Sequence, residues 1–426
     1  MNDRIKLAIA GAGHRSIAYA DHAHRHPEKV VISAIAEPND FRRKTVGDRY
    51  GVPEANRFLS TADMMGKGLS LDGVINGTMD LVHHQTAMEI LEAGCNMLLE
   101  KPICTRKDHL LEIYRKATQM NAKVMVCHVL RYAPFYSTIK SLIDAGEIGD
   151  VVSVHTDEHV SYHHMTVGYI RGKWENSREC GSTILMAKCC HDLDILTWMK
   201  GKRPVKVASF GSLYQFRPEM APEGAGTRCA LDCSIERECP FSAIRHYIER
   251  TLWDMYAWAP IEEYADRDTR ERKLLSLQTD NPYGRCVYAC NNDMLDNQSV
   301  IVGFEDGTAS SHNLVASTST LARNIFVRGT RGDISGKLEE SKVCLRKYNP
   351  SVDKLFDEEI LEIPGGRDGH GGGDERMMED FVDVLSGKPP SLSTTQLSDS
   401  IYGHLIGLQA QEALENNCTA TIERID

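Results

Sequence analysis

The chain of 426 residues is long enough for two or three domains of ordinary size. Sixty acidic and 49 basic residues give a formal net charge of −11, which disfavours binding to nucleic-acid backbones and to anionic lipid surfaces. We therefore expect neither a nucleic-acid partner nor a membrane partner.

No stretch of the sequence approaches the about 20 consecutive apolar residues that a transmembrane helix needs. The N-terminus runs directly into a short apolar segment and lacks the features of a secretory signal peptide. We therefore expect a cytoplasmic protein. In that compartment the 13 cysteines are expected to be free thiols, reactive thiols or metal ligands rather than a disulfide framework.

The first third of the chain alternates short apolar runs with amphipathic segments. Strands are predicted at residues 5–10, 30–36, 71–77, 96–99 and 123–127, and helices at 17–24, 83–93 and 107–119. Strands that alternate with helices in this way are typical of a parallel, doubly wound sheet. We therefore predict a doubly wound α/β domain that ends near residue 127.

A glycine-rich turn separates the first predicted strand from the first helix. Gly11 permits a tight turn, and Gly13 permits the close approach of phosphates. Such a turn places backbone N–H groups and a helix N-terminus where a pyrophosphate can bind. We therefore predict a dinucleotide-binding Rossmann domain over residues 1–127, with cofactor contacts from Gly11, Gly13, His14 and Arg15.

An acidic residue, Glu37, follows the second predicted strand. A carboxylate at this place can accept hydrogen bonds from the ribose hydroxyls of NAD, and it repels the 2′-phosphate of NADP. Arg42 and Arg43 follow and keep NADP open as the less favoured cofactor. The alternative interpretation is that Glu37 only begins a surface loop.

At the end of the fourth predicted strand the chain reads Glu100-Lys101-Pro102. Together with the turn at Gly11–Arg15 and with Thr78-Met79-Asp80, this sequence resembles the Gfo/Idh/MocA family of NAD(P)-dependent oxidoreductases over nearly the whole chain. The resemblance implies that Lys101 is the catalytic lysine and that its bond to proline is cis. It also implies further cofactor contacts from Thr78, His83, Glu100 and Lys101.

The position of Lys101 agrees with that role. A lysine ammonium group can bind an alcohol oxygen or carry its proton. At the carboxyl end of a parallel strand, Lys101 faces the crevice where open α/β sheets bind ligands. The alternative is an exposed loop lysine without a function.

Residues 128–426 are predicted to form a largely antiparallel open-sheet domain. Short runs joined by glycine turns, such as 300–304 and 308–315, are typical of antiparallel strands. The predicted fold class is therefore α/β followed by α+β. In the family that the chain resembles, one face of this sheet often forms an oligomer interface, so we expect a homodimer or a homotetramer.

A polar cluster around His191 opens a predicted helix in the second domain. The family usually has an Asp-x-x-x-His pair here, and His191 matches the histidine while Ala187 replaces the aspartate. His191 is therefore predicted to be a catalytic acid/base with a pKa near neutrality. Lys188 becomes a second candidate for substrate binding or proton transfer, and Asp194 is expected to be structural.

A polar loop at residues 161–174 is predicted to form the substrate pocket. Clustered His, Tyr, Arg and Trp side chains suit hydrogen bonds to hydroxyl groups and stacking on the apolar face of a sugar. Substrate contacts are predicted from Arg131, Tyr132, His164, Arg171 and Lys188. A glycine-rich loop with His370 and Asp374 is expected to reach the same pocket, unless Asp374 only caps a helix.

Residues 217–285 are predicted to be an insertion between two strands of the second domain. Cys229, Cys233 and Cys239 lie within eleven positions and can ligate zinc, with Cys286, Cys290 or a histidine as a fourth ligand. The spacing is not a paired Cys-x-x-Cys, so reduced thiols packed in the fold are the commoner outcome. A structural zinc ion and free thiols are both left open.

Together these features predict an NAD-dependent oxidoreductase that acts on a secondary hydroxyl of a sugar, glycoside or cyclic polyol. The first alternative is an NAD-dependent glycosidase that oxidises its substrate transiently, eliminates the aglycone and returns the hydride. The second alternative is a non-catalytic nucleotide or sugar sensor, because Ala187 departs from the family pattern.

Overall fold

The computed structural model describes residues 4–364 and 370–425. Two β-sheets organise the chain, a six-stranded sheet near the N-terminus and a nine-stranded sheet built from later residues. This arrangement confirms the predicted fold class, a Rossmann-type α/β domain followed by an α+β domain. Among the described residues, no helix is both long and apolar enough to cross a membrane.

The first sheet is parallel throughout. Its strands are β1 (Ile5–Ala10), β2 (Val30–Ala36), β3 (Arg57–Phe58), β4 (Gly73–Asn76), β5 (Asn96–Leu99) and β6 (Val124–Val126). Its helices are α1 (His14–Ala20), α2 (His22–Arg25), α3 (Asp40–Arg49), α4 (Thr61–Gly66), α5 (His83–Glu92) and α6 (Lys107–Gln119). The strand order β3-β2-β1-β4-β5-β6 reverses direction at β1, so a crevice opens at the carboxyl ends of β1 and β4, where such sheets bind dinucleotides.

The strands of this sheet form where the sequence is continuously apolar. β1 and β2 are covered by helices on both faces, and most of their residues are buried. The helix α6 instead buries one stripe, formed by Leu110, Ile113 and Ala117, and exposes the rest. The predicted bounds of β1, β2, β5 and α6 agree with the structure to the residue.

The second sheet has nine strands. They are β7 (Val151–Ser161), β8 (Pro204–Ser212), β9 (Asn297–Phe304), β10 (Ala309–Thr318), β11 (Ala322–Gly329), β12 (Gly332–Lys337), β13 (Lys342–Tyr348), β14 (Phe356–Glu362) and β15 (Ala420–Thr421). Their order is β14-β13-β12-β11-β7-β10-β9-β8-β15. Neighbours pair antiparallel except β7 and β10, which pair parallel. The largely antiparallel character that was predicted is therefore confirmed.

Helices cover one face of this sheet, chiefly α11 and α15. The helices after α6 are α7 (Pro134–Asp144), α8 (Tyr162–Met165), α9 (Ser177–Cys180), α10 (Ile184–Ala187), α11 (Cys190–Lys200), α12 (Asp254–Ala257), α13 (Arg270–Gln278), α14 (Gly373–Leu385) and α15 (Leu397–Glu415). The covered face buries the inward residues of each strand, such as Val154, Val300 and Ile325. The opposite face is left to solvent in the single chain.

The insertion lies between β8 and β9 and has a small core of its own. That core contains Cys229, Ala243, Tyr247, Ala257, Trp258, Ile261, Leu277 and Tyr283. Val167, from the predicted pocket loop, joins the same cluster. The insertion therefore packs on the loop that was predicted to bind substrate.

The helix α14 returns to the first domain. Its residues Met377 and Phe381 are buried in the same cluster as Leu7 and Ile9 of β1. One helical face of the Rossmann sheet is thus covered by a segment from near the end of the chain.

Candidate active site

The glycine-rich turn has the shape that a phosphate cradle requires. Gly11 has a φ of +79°, and a Cβ there would lie 2.9 Å from the carbonyl oxygen of Gly77, so only glycine fits. Gly13 precedes α1 in extended conformation, no side chain caps that helix, and a Cβ on Gly13 would meet nothing within 4 Å. The turn therefore leaves open space beside the first N–H groups of α1, as a bound pyrophosphate needs.

Glu37 lies directly beside this turn. Its carboxylate accepts hydrogen bonds from the backbone N–H of Ala12 at 2.7 Å and of Asn39 at 2.9 Å, and the residue is buried. Glu37 therefore does more than begin a surface loop. Of the two arginines that kept NADP open, Arg42 pairs with Glu262, whereas Arg43 pairs with Asp40 and also donates a hydrogen bond to the backbone carbonyl of Glu37 at 2.6 Å.

Glu100 anchors the end of β5. It accepts hydrogen bonds from the Tyr19 hydroxyl at 2.6 Å, from Arg15 at 3.3 Å and from the backbone N–H of Lys101 at 2.8 Å. Burial alone would raise the pKa of Glu100, but the charges of Arg15 and Lys101 and these hydrogen bonds lower it overall. Glu100 is therefore a buried carboxylate that fixes the backbone of Lys101.

Arg15 connects this carboxylate with the glycine-rich loop near the C-terminus. Its guanidinium group binds both oxygens of Asp374, at 2.6 and 3.1 Å. Asp374 in turn lies 3.3 Å from Nδ1 of His370, whose ring is 6.0 Å from that of His191. The expectation that this loop reaches the pocket is met, while Asp374 does not cap its helix, because Gly372 occupies the cap position.

Lys101 reaches the segment where the family aspartate is replaced. The Lys101–Pro102 bond is cis, and Nζ donates a hydrogen bond to the carbonyl oxygen of Ala187 at 2.6 Å. His191 follows in the first turn of α11. The ammonium group of Lys101 and the ring of His191, which come from different domains, are thereby brought to one place.

His191 is buried. Burial holds its pKa well below the usual value, and the charge of Lys101 lowers it further, which favours the neutral imidazole. Among the described residues, none makes a hydrogen bond to its Nδ1. The prediction of a pKa near neutrality is therefore wrong, because it ignored burial and the cationic neighbours.

A buried charge cluster supports Lys188. Its Nζ lies 3.2 Å from Glu158 of β7, and Arg323 of β11 pairs with both Glu158 and Asp192. Burial lowers the pKa of Lys188, and Glu158 offsets part of that effect. Burial, with the negative charge of Glu158, raises the pKa of Asp192 to about 7, although Arg323 opposes the shift.

Sequence reasoning missed Glu158 and Arg323. In β7 the inward positions are Val154, Thr156, Glu158 and Val160, so Glu158 places a charge on the buried face of a strand. A charge at an inward position needs a partner, and this was the signal available in the sequence. Glu158 supplies a carboxylate to this wall of the site, where Ala187 supplies none.

An aromatic wall lies across the cleft. The ring of His164 stacks on Trp253 with centroids 4.2 Å apart, and Tyr256 lies 6.3 Å from Trp253, 6.2 Å from Trp174 and 6.3 Å from His14. Burial holds the pKa of His164 well below its usual value, and the charges of Lys188 and Lys101 act in the same direction. Trp253 and Tyr256 belong to the insertion, and the sequence analysis did not select them.

Three predicted substrate residues are instead structural. Arg131 forms a buried bidentate pair with Asp194 at 2.6 and 2.7 Å, which accords with the structural role expected of Asp194. The Tyr132 hydroxyl donates to Asp380 at 2.8 Å, and Arg171 donates to two backbone carbonyls. The polar groups of all three residues bond to other groups of the protein. The structure therefore does not support them as substrate contacts.

Two predicted cofactor residues have local structural contacts. The ring nitrogens of His83 lie 2.7 Å from the carbonyl oxygen of Pro102 and 2.8 Å from that of Thr78, so His83 braces the loops after β4 and β5. Thr78 donates to Asn76 at 2.9 Å and stays half-buried at the crevice. Thr78 thus borders the predicted cofactor site, and His83 supports it from behind.

The structure does not support the zinc site. All 13 cysteines are free thiols. In the described part of the chain, three ligand atoms lie within 4.8 Å of one another in two groups, His22–His26–Glu375 and Cys189–Asp192–His312. Neither group contains Cys229, Cys233 or Cys239, and Cys229 accepts a hydrogen bond from Arg171 instead.

Comparisons with known proteins find matches for both domains of the chain. Residues 5–128 match the Gfo/Idh/MocA "Oxidoreductase family, NAD-binding Rossmann fold", and residues 140–418 match its "C-terminal alpha/beta domain". The putative oxidoreductase YteT of Bacillus subtilis is 25% identical over 369 residues, which are 83% of this chain and 81% of YteT. An inositol 2-dehydrogenase of Corynebacterium glutamicum is 23% identical over 208 residues, 49% of this chain and 57% of that protein.

Solved structures share the fold at low sequence identity. An NAD-binding oxidoreductase from Klebsiella pneumoniae has a TM-score of 0.72 at 14% identity, covering 99% of this chain and 100% of that one. Levoglucosan dehydrogenase in complex with NADH and levoglucosan has a TM-score of 0.68 at 16% identity, with the same coverage. The two matched segments contain the whole first sheet and the second sheet except β15, and Lys101 and His191 both lie within them. The chain therefore belongs to the Gfo/Idh/MocA family of oxidoreductases and contains its NAD-binding Rossmann domain.

Proposed function

We propose that this protein oxidises a secondary hydroxyl of a carbohydrate or cyclic polyol with NAD as the hydride acceptor. The proposal rests on the proximity of Lys101 and His191 at the carboxyl edge of the Rossmann sheet. Lys101 donates a hydrogen bond to Ala187, and its charge lowers the pKa of His191. Relatives named as inositol 2-dehydrogenases, and one named trans-1,2-dihydrobenzene-1,2-diol dehydrogenase from Xenopus tropicalis, support a ring-shaped substrate with hydroxyl groups.

The chain's own residues fit NAD. Open space at Gly13 suits the pyrophosphate, and the carboxylate of Glu37 suits two ribose hydroxyls. Arg42 and Arg43 are each paired with a carboxylate, which lowers the positive charge that they offer to a 2′-phosphate. When bound, NAD supplies a nicotinamide C4 that accepts hydride from the alcohol carbon.

Lys101 and His191 have different roles at the substrate hydroxyl group. The ammonium group of Lys101 donates a hydrogen bond to that oxygen and stabilises negative charge on it as the C–H bond breaks. The neutral imidazole of His191 accepts the hydroxyl proton. Glu100 holds the backbone of Lys101 in place from beneath, through the hydrogen bond to its N–H.

Lys188 and His164 form the remaining polar wall. Glu158 keeps Lys188 charged and oriented, so its other N–H bonds remain for a substrate hydroxyl. The charges of Lys188 and Lys101 both lower the pKa of His164. We assign these two residues to binding of neighbouring hydroxyl groups.

The proposal is tested with a panel of inositols, anhydro sugars, aldoses and aryl glycosides. NADH formation and released aglycone are followed together. With the best substrate, Lys101→Ala is expected to lower kcat by at least about 100-fold while NAD binding stays within about twofold. Lys202→Ala, an exposed lysine away from the site, is the matched control. Full turnover in Lys101→Ala would contradict the assignment, and aglycone release without net NADH would favour the glycosidase.

We also propose that the uncovered face of the second sheet joins two copies of the chain. Across β9, β10, β7 and β11 the outward residues Ile301, Ser311, His155 and Phe326 stand in register. Ile301 is 52% exposed and Phe326 39% exposed, which is unusual for large apolar side chains on a regular sheet. Light scattering should show an oligomer that Ile301→Asp with Phe326→Asp dissociates, while Val352→Asp on a distant loop does not.

A further inference from the structure

A cluster of two histidines and one glutamate lies where α2 meets α14. His22 begins α2, His26 follows the last residue of that helix, and Glu375 lies in the first turn of α14. His22 is buried, whereas His26 and Glu375 are partly exposed. The cluster therefore joins two segments that are 353 positions apart in sequence, and solvent can reach it.

The three side chains bring their ligand atoms together. Oε1 of Glu375 lies 2.8 Å from Nδ1 of His22 and 3.4 Å from Nε2 of His26. All three atoms lie within 4.8 Å of one another. Ligand atoms that share one ion at bond lengths of about 2.0–2.1 Å lie about 3.0–3.4 Å apart. A small shift of the partly exposed Glu375 side chain therefore admits a metal ion.

Neighbouring charged groups orient these ligands from outside the cluster. Arg25 donates a hydrogen bond to the other oxygen of Glu375, Oε2, so Oε1 remains on the side of the histidines. Oε1 of Glu28 lies 3.6 Å from Nδ1 of His26, whose Nε2 faces Glu375. Metal-bound histidines commonly have a carboxylate at the second ring nitrogen, which fixes the ring. The charge of Arg25 opposes a cation, but this side chain is 47% exposed and solvent screens the repulsion.

We propose that His22, His26 and Glu375 bind one divalent transition-metal ion, such as Ni²⁺, Co²⁺ or Zn²⁺. Imidazole and carboxylate ligands suit these ions, and water completes the coordination at a site that solvent reaches. The site shares no residue with the cysteines of the insertion and takes no part in hydride transfer. The ion links α2 to α14, the helix whose Asp374 binds Arg15 beside the glycine-rich turn, and so stabilises the contact of α14 with the first domain.

The experiment uses Co²⁺ as the probe. The full chain without a histidine tag is stripped with a chelator, kept reduced with a phosphine and titrated with Co²⁺. We expect one ion per chain with the visible spectrum of nitrogen and oxygen ligands, which differs from that of a cobalt–thiolate complex and so separates this site from the free cysteines. The unfolding temperature should rise by about 2–4 °C with Co²⁺, because the ligands come together only in the folded chain.

Two ligand variants and one control complete the test. His26→Gln removes one ligand and leaves the hydrogen bond between His22 and Glu375 in place, and it should lower Co²⁺ affinity by at least about tenfold. Glu375→Gln keeps the size of the side chain, removes its charge and should have an effect of the same order. His24→Gln changes a histidine of the same helix that stacks on Tyr50 instead, and it should bind Co²⁺ like the wild type.

The outcomes are decisive because all three variants leave the buried His22 unchanged, and circular dichroism checks that each is folded. A loss of affinity confined to His26→Gln and Glu375→Gln, with loss of the thermal shift in both, would support the proposal. An affinity that either of these variants leaves unchanged, or a thiolate spectrum, would overturn it. An equal loss in His24→Gln would also overturn it, because the effect would then come from α2 as a whole.

Discussion

The two walls of the cleft are built in different ways. On the cofactor wall, formed by Gly11, Glu37 and Lys101, each functional group lies at the end of a strand and is held by neighbouring backbone. On the substrate wall, Lys188 depends on Glu158 and Arg323, which come from distant strands. The comparison teaches that cofactor binding here follows from local chain geometry, whereas the substrate side depends on charges assembled by the whole second domain.

The largest effect is expected away from both walls, at the buried pair of Arg131 and Asp194. Asp194→Asn leaves Arg131 as an uncompensated buried charge, which should lower the free energy of unfolding by about 3–5 kcal/mol. Urea unfolding measures this loss. Asp144→Asn, which removes an exposed helical pair with Lys140, should cost at most about 0.5 kcal/mol. A raised KM without loss of stability would show instead that Arg131 binds the substrate.

His191→Asn tests whether the substrate wall carries the proton. We expect kcat to fall by about 100- to 1000-fold with little change in NAD binding. Because burial and the charge of Lys101 hold the pKa of His191 well below its usual value, any gain of activity from its deprotonation should occur at a lower pH than the one at which a free histidine titrates. A wild-type acid limb near pH 6.5 that vanishes in His191→Asn would show instead that the histidine titrates normally.

Glu158→Gln tests the long-range support of Lys188. Without this carboxylate the ammonium group loses its partner at 3.2 Å, and we expect KM to rise by about tenfold with a smaller change in kcat. Steady-state kinetics separate the two parameters. Asp157→Asn, on the other face of the same strand, is the matched control. Unchanged KM in Glu158→Gln would remove Lys188 from the substrate wall.

The smallest effect is expected on the cofactor wall, at Glu37. Glu37→Gln keeps the shape of the side chain but removes the charge that repels a 2′-phosphate. The ratio of NAD to NADP affinity should therefore fall by about three- to tenfold. Titration with both cofactors measures the ratio, with the exposed Glu54→Gln as control. An unchanged ratio would mean that Glu37 serves only the backbone of the turn.

The cofactor wall was largely predictable because its signals are contiguous in sequence. Buried parallel strands read as unbroken apolar runs, so β1, β2 and β5 could be located to the residue. The sequence did not predict β3, because this strand has only two residues. It did not predict α3, because the sequence of that helix is mostly polar. These elements are fixed by packing on the sheet rather than by a pattern of their own.

The substrate wall was predicted only in part. Lys188 and His164 stay predictions as substrate contacts, whereas the contacts of Arg131, Tyr132 and Arg171 speak against that role for them. A polar side chain reads the same in sequence whether it meets solvent or a buried partner. The partners that consume their hydrogen bonds, such as Asp194 and Asp380, lie far along the chain. The cysteines of the insertion misled for a related reason, since spacing alone did not show that, among the described residues, no three of their sulfur atoms lie within 4.8 Å of one another.

The return of α14 to the first domain has a consequence for modularity. Residues 373–385 complete the hydrophobic cover of β1, and Asp374 engages Arg15 beside the glycine-rich turn. The nucleotide-binding half is thus not a cassette that can be exchanged at one crossover point after residue 127. A chimaera with a relative's Rossmann half has to bring that relative's α14 as well, so recombination between family members is constrained to pairs of breakpoints that move the two segments together.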